Sequence, residues 1–281
     1  MRTGQVLGLG PHGFHRMHYT EWGAPENARV LVCVHGLTRN GRDFDWLAEA
    51  LSRDYRVVCP DLPGRGQSDW LEDPADYGVP LYLSDLVVLL GRLDVEQADW
   101  FGTSLGGWLG TVMAAQAGTP IRRLIVNDIG PEVPKEALER IATYAGREPQ
   151  FPELAALEAY VRVVYAPFGP LTDAAWRHLA RHSARALPGG GYAMHYDPGI
   201  GEAFRRRATE WVDQWEVWDR VRCPVLILRG ERSDLLTRAC AAEMQRRGPK
   251  AELIEFAGIG HAPMITTEAE INAVRERLLR P

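Results

Sequence analysis

Apolar residues along this chain follow two rhythms that alternate. Six short runs, at 29–36 (RVLVCVHG), 55–61 (YRVVCPD), 98–104 (ADWFGTS), 121–128 (IRRLIVND), 223–230 (CPVLILRG) and 251–258 (AELIEFAG), are rich in β-branched residues. They are apolar on both faces, as strands buried on both sides of a parallel sheet must be. Between them, 43–53, 81–94, 105–118, 235–248 and 267–279 carry apolar residues at three- and four-residue spacing, the signature of helices laid against such a sheet. An earlier stretch, 15–23 (HRMHYTEWG), alternates residue by residue and predicts an antiparallel edge strand. Strands that alternate with helices imply crossover connections and an α/β fold.

The rhythm stops after Asp128 and resumes near Cys223. The intervening stretch is helical and aromatic-rich in pattern and is interrupted by the breakers GPEVP, APFGP and PGGGY. It is expected to be an inserted cap, with boundaries that give a core of 1–130 and 214–281 and a cap of 131–213. Trp211, Trp215 and Trp218 recur at i, i+4 and i+7 and predict a core-facing stripe on the last cap helix.

Composition narrows the function classes. With 281 residues, 46% hydrophobic and 25% charged, the chain has the make-up of an ordinary globular protein large enough for a full core. A net charge of -5 leaves no basic surface for a nucleic acid, so none is expected as a partner. No apolar run has the length of a membrane span and the first residues lack a secretory pattern, so a cytoplasmic protein with no membrane partner is expected. Cys33, Cys59, Cys223 and Cys240 show no C-x-x-C pairing and predict buried free thiols.

The candidate chemistry starts at WFGTSLGGWLG (100–110), where Ser104 stands two residues from Gly102 and two from Gly106. A serine hydroxyl is a poor nucleophile unless a base, an acid that orients the base, and donors for a developing oxyanion are close by. The serine lies between a predicted strand and a predicted helix, where small neighbours permit a sharp turn and the helix N-terminus aims its free N–H groups at the reacting atom. This pattern predicts a nucleophile elbow. His12, His15 and His18 at i, i+3 and i+6 lack accompanying acidic or cysteine ligands, and His178 and His182 at i, i+4 lack the glutamate of a zinc-protease motif. No metal is expected, and the second pair is read as a solvated or core pair.

These segments together resemble the α/β-hydrolase superfamily, in its cap-bearing serine hydrolase branch, over nearly the whole chain outside the cap. The resemblance implies a mostly parallel sheet flanked by helices, with a helical cap inserted after the sixth strand. VCVHGLTRN resembles the family's H-G-x loop, which implies that the backbone N–H of Leu37 is one oxyanion donor and that of Leu105 the other. DLPGRGQSD (61–69) resembles a structural turn of the family, and FAGIGHAP resembles its late histidine turn, which makes His261 the base. Two aspartates end predicted strands; family order selects Asp234 as the triad acid, although it lies one residue further from Gly230 than is usual, and Asp128 stays open as the alternative. Arg39, Asn40 and Asp43 just beyond the oxyanion loop are candidates for a polar substrate end, with Tyr165, Phe168 and Trp176 for its apolar side and Asp128 also in the binding set. The expected activity is cofactor-free hydrolysis of a small carboxylic ester, lactone or thioester through an acyl-enzyme. A C–C bond hydrolase of the same fold and a catalytically silent ligand-binding protein are the alternatives.

Overall fold

The computed structural model describes residues 1–207 and 213–280. Its main sheet has eight strands in the order β1-β2-β4-β3-β5-β6-β10-β11. β1 (Arg2–Gly10), β2 (Gly13–Trp22) and β4 (Arg56–Pro60) pair antiparallel in succession, while β3 (Val30–Val34), β5 (Ala98–Thr103), β6 (Ile121–Asn127), β10 (Val225–Gly230) and β11 (Glu252–Phe256) extend the sheet from β4 in parallel. β3 and β10 are buried at every position, because helices cover both faces. β11 is half exposed, since it is the edge, and its glutamates pair with Arg229, Arg238, Arg277 and Arg280.

The helices α1 (Asp45–Leu51), α2 (Val79–Leu93), α3 (Leu105–Ala114), α9 (Arg238–Arg246) and α10 (Glu268–Leu278) fall where the apolar spacing places them. Thr267 and Glu270 close a capping box at the start of α10. Among the described residues no helix is long and apolar enough to cross a membrane.

β1 has no counterpart among the predicted strands. Gly4, Gly8 and Gly10 weaken its strand signal, yet there is a packing reason for the first two: a Cβ on Gly4 would enter the Tyr19 ring, and one on Gly8 would meet Asp85 and His15. The three N-terminal histidines do not converge. His12 pairs with Asp76 at 2.8 Å, His15 with Asp85 at 2.8 Å and His18 with Asp61 at 3.2 Å, each with its own carboxylate.

The His15–Asp85 pair is buried between β2 and α2, and the hydrogen bond that the imidazole donates to Asp85 raises it above its ordinary 6.5. A raised folded-state value means that the stabilisation is complete below pH 6.5 and is lost as pH rises through the folded value. Urea unfolding of wild type and Asp85→Asn across neutral to alkaline pH is therefore expected to show a wild-type advantage that shrinks as pH rises. An advantage independent of pH would contradict this account.

Between β6 and β10 the chain forms α4 (Lys135–Ala142), α5 (Leu154–Val164), α6 (Asp173–Ser183), α7 (Gly199–Arg207) and α8 (Trp215–Arg220), plus a small antiparallel sheet in the order β7-β9-β8. β7 (Gln150–Phe151), β8 (Ala184–Ala186) and β9 (Tyr192–Met194) are two or three residues long, too short to carry a periodic signal, which is why the sequence predicts only helices here. Of the tryptophan stripe, Trp211 lies outside the described residues; Trp215 opens α8 and Trp218 is fully buried.

Candidate active site

Ser104 sits between the last residue of β5 and the first of α3, with φ 52° and ψ -117°. A left-handed φ on a serine is strained and persists only where the surroundings fix it. Here they do: the Ser104 N–H donates to the Asn127 carbonyl at 2.8 Å, and its own carbonyl accepts from Trp108 N–H at 3.0 Å. The two glycines of the motif are needed for space. A Cβ on Gly102 would fall on the backbone of Gly106 and Gly107, and one on Gly106 would fall on the Val34 carbonyl. The strand and the helix touch, and the side chain at the turn is pushed outward.

His261 follows β11 and reaches back over the sheet. Its Nε2 lies 3.0 Å from Ser104 Oγ, and its Nδ1 lies 2.9 Å from Asp128 Oδ2. A carboxylate can only accept, so Nδ1 carries the proton and Nε2 is free to accept from the serine hydroxyl. Asp128 is fully buried. Its Oδ1 accepts from the Gly230 N–H at 3.0 Å, and its Oδ2 also accepts from Ser233 Oγ–H at 2.6 Å. The serine, imidazole and carboxylate form one continuous hydrogen-bond chain. Chemically, such a chain can move the serine proton onto the imidazole and hold the resulting cation.

Asp234, the aspartate that family order selects, is not in contact with His261. It is 46% exposed and pairs with Arg140 at 2.5 and 2.8 Å. The turn after β10 that would present it instead contributes Gly230 N–H and Ser233 Oγ–H to Asp128. β6 and β10 are neighbours in the sheet, so an aspartate at either strand end can face the same histidine. The one-residue lengthening after Gly230 is the sequence signal that separates the two.

The loop 35–38 runs against the serine: a Cβ on Gly36 would stand 3.5 Å from Ser104 Cβ. Leu105 is the first residue of α3, where a helix leaves its N–H groups unpaired. Leu37 lines the same cavity as Ser104 and Leu105. The loop is pinned from behind by two buried side chains. His35 Nδ1–H donates to the Gly36 carbonyl at 2.7 Å and its Nε2 accepts from Leu62 N–H at 2.9 Å; burial holds this imidazole down to about 4, so it is neutral. Arg65 is fully buried and donates from Nε to the Leu37 carbonyl at 2.8 Å and from Nη1 to the Pro63 carbonyl and the Tyr82 hydroxyl, each at 2.7 Å. Arg65 belongs to the DLPGRGQSD turn, where its tie to the Leu37 carbonyl went unforeseen in the sequence.

The cavity beside Ser104 measures about 40 Å³ and is lined by Leu37, Leu105, Ile129, Val133, Leu138, Ile141, Phe204 and Leu235. Half of these, Val133, Leu138, Ile141 and Phe204, come from the insertion and carry no motif. The residues expected to contact substrate are elsewhere engaged. Arg39 is bound to Asp43 at 2.9 and 2.5 Å and to Ser183 Oγ at 2.7 Å, and its guanidinium lies 4.7 Å from the centre of the Tyr165 ring. Asn40 donates to the His182 carbonyl at 2.8 Å. Tyr165 stacks on Phe168 with ring centres 5.0 Å apart, and Trp176 is buried with the Arg162 guanidinium 5.8 Å from its ring centre. These side chains bind the insertion to the segment after loop 35–38 and to itself. The i, i+4 imidazoles of α6 meet Asp45 at the start of α1, and burial with the neighbouring Arg42 charge pushes His182 down to about 4.

Comparison with known proteins agrees with this architecture. The model of the Alpha/beta hydrolase family matches residues 31–274. The chain is 44% identical over 278 residues to a 3-hydroxybutyrate-oligomer hydrolase of Cupriavidus necator, an alignment that covers 96% of this chain and 95% of that one. An X-ray structure from Rickettsia typhi superposes with a TM-score of 0.92 at 30% identity, covering 99% of both chains. An alpha/beta hydrolase from Novosphingobium aromaticivorans gives 0.88 at 36% identity over 98% of each chain. The strand order, the strained serine at the strand-to-helix turn and these similarities lead to one assignment: the chain belongs to the α/β-hydrolase family.

Proposed function

We propose that this hydrolase cleaves short-chain carboxylic esters through an acyl-enzyme, with Ser104 as nucleophile, His261 as base and Asp128 as the acid that orients it. The observation that carries the reading is the hydrogen-bond chain from Ser104 Oγ through His261 to Asp128. His261 Nε2 takes the serine proton as Oγ attacks the carbonyl carbon. The N–H groups of Leu37 and Leu105 receive the oxyanion, each donor lowering the barrier by about 3 kcal/mol. The imidazolium, held by Asp128, then protonates the leaving alkoxide, and water repeats the sequence on the acyl-enzyme. Residues 131–213 act as the cap that closes over this chemistry, on a core of 1–130 and 214–281.

The substrate class follows from similarity and size together. The Cupriavidus necator relative is a 3-hydroxybutyrate-oligomer hydrolase, whose name implies a short chain of esters. The 40 Å³ cavity holds about three to four water-sized groups, since roughly 10–15 Å³ admits one. That space suits the short apolar part of a hydroxyalkanoate ester. In a p-nitrophenyl series, acetate and butyrate are expected to exceed octanoate in kcat/KM by about 10-fold or more, with one methylene worth about 1–3 kcal/mol in a tight pocket. Leu138→Ala should widen the cavity and narrow the gap, and 3-hydroxybutyrate dimer and trimer should be cleaved. Equal or better turnover of octanoate by the wild type would rule the short-chain reading out.

A further inference from the structure

A second cluster of chemistry-bearing side chains lies away from the serine, where α6 of the insertion meets the start of α1. His178 and His182 stand one turn apart on α6, so both imidazoles project from one face of that helix. Their rings are 4.5 Å apart. Facing them across the junction is Asp45, buried at the first position of α1. One donor atom from each of these three residues lies within 4.8 Å of the other two. The closer separations are more telling: His178 Nε2 is 3.3 Å from Asp45 Oδ2 and 3.0 Å from the Arg42 carbonyl oxygen. Donor atoms at the corners of a tetrahedron with metal bonds of about 2.0–2.1 Å are themselves about 3.3 Å apart.

We propose that Asp45, His178, His182 and the Arg42 carbonyl form a binding site for one divalent transition-metal ion of the zinc class, joining the insertion to the core. Two imidazole nitrogens with a carboxylate and a carbonyl oxygen are a donor set for zinc, cobalt or nickel, and lack the all-oxygen shell that calcium or magnesium takes. The groups behind the donors are in place. Arg42 Nε holds Asp45 Oδ1 at 2.9 Å, and Asn40 Nδ2 holds the His182 carbonyl at 2.8 Å, while the Trp46 ring covers His178 with centres 4.4 Å apart. The bond from Arg42 orients the Asp45 carboxylate, and that from Asn40 fixes the α6 backbone at His182.

Without metal, the His178 Nε2–H donates to the Arg42 carbonyl. Binding requires that proton to move to Nδ1, a change of tautomer with no change in net charge. The Arg42 guanidinium also pairs with Asp45 Oδ2 at 2.5 and 2.8 Å and must yield that oxygen to the ion while keeping Oδ1. This competition makes the site weaker than a permanent structural zinc. The segment that supplies Arg42 and Asp45 continues directly from the Leu37 loop. An ion here would therefore clamp α6 to the region that carries a proposed oxyanion donor. The inference does not depend on the proposed esterase reaction.

The test is titration of the full chain with Co²⁺, whose visible absorption reports coordination by nitrogen and oxygen at low coordination number. One ion per chain is expected, displaced by an equivalent of Zn²⁺ and accompanied by a rise in Tm. His261→Asn should retain the band, which separates this site from adventitious binding at the reactive histidine. His178→Gln and His182→Asn should each lose it, with folding checked by circular dichroism. In the unaltered protein, paramagnetic broadening by Co²⁺ should fall on the ring signals of His178 and His182. No binding at millimolar Co²⁺, a band that survives both substitutions, or broadening centred on His261 would each overturn the proposal.

Discussion

Asp128→Asn is expected to lower kcat by about 10⁴-fold with KM little changed, whereas Asp234→Asn should stay within a few-fold of wild type. The size of the first effect follows from tautomer control. The Gly230 N–H will keep an oxygen on the side where Oδ1 now accepts it, so the amide nitrogen of an asparagine must occupy the Oδ2 position. That nitrogen faces His261 Nδ1 at 2.9 Å and donates, so Nδ1 must become the acceptor and the ring proton moves to Nε2. An Nε2–H cannot remove the serine proton. Ser233 adapts by rotating its hydroxyl, so the fold survives and the loss is chemical. Asp234 lies on the surface with Arg140, an exposed pair worth at most about 1 kcal/mol of stability. Steady-state kinetics on the two variants decides between the aspartates; a large loss in Asp234→Asn with a small one in Asp128→Asn would reverse the assignment.

Ser104→Ala is expected to abolish covalent labelling by a fluorophosphonate and to lower turnover by about 10⁵-fold or more, with substrate binding retained. The strained backbone at position 104 is held by Asn127 and by Trp108, and neither contact uses the hydroxyl, so alanine should take the same conformation. His261→Ala should weaken labelling, because the phosphonate then meets an unactivated hydroxyl. Mass spectrometry of the labelled peptide checks the position. Intact labelling in Ser104→Ala would place the reactive nucleophile at another residue, and no labelling of folded wild type would favour the silent ligand-binding alternative.

Much of the fold could be read from the sequence because parallel strands buried on both faces are continuously apolar and their helices are amphipathic. The elbow was legible for a local reason: Gly102, Ser104 and Gly106 satisfy a constraint set within five residues. His261 stands out in the sequence because it follows the last strand in a glycine-flanked turn, and the structure brings its Nε2 within 3.0 Å of Ser104 Oγ. The acid was not settled by the same means. Its identity depends on which of two adjacent strand ends faces His261, a relation between β6 and β10 that no spacing along the chain records. Arg39, Asn40 and Asp43 show another limit. Polar residues beside a proposed oxyanion loop look like substrate ligands, yet here they satisfy one another and the insertion. The cavity walls are ordinary leucine, isoleucine, valine and phenylalanine, whose convergence only folding produces.

Ser104 and His261 are separated by 157 positions and Asp128 and His261 by 133, so the proposed triad comes together only after the final edge of the sheet has docked. A nascent or truncated chain that lacks this last segment holds a well-formed elbow and no base. On the proposed triad, hydrolysis requires the chain through His261 to be in place. In refolding it should be among the last signals to return, after the burial of the earlier strands.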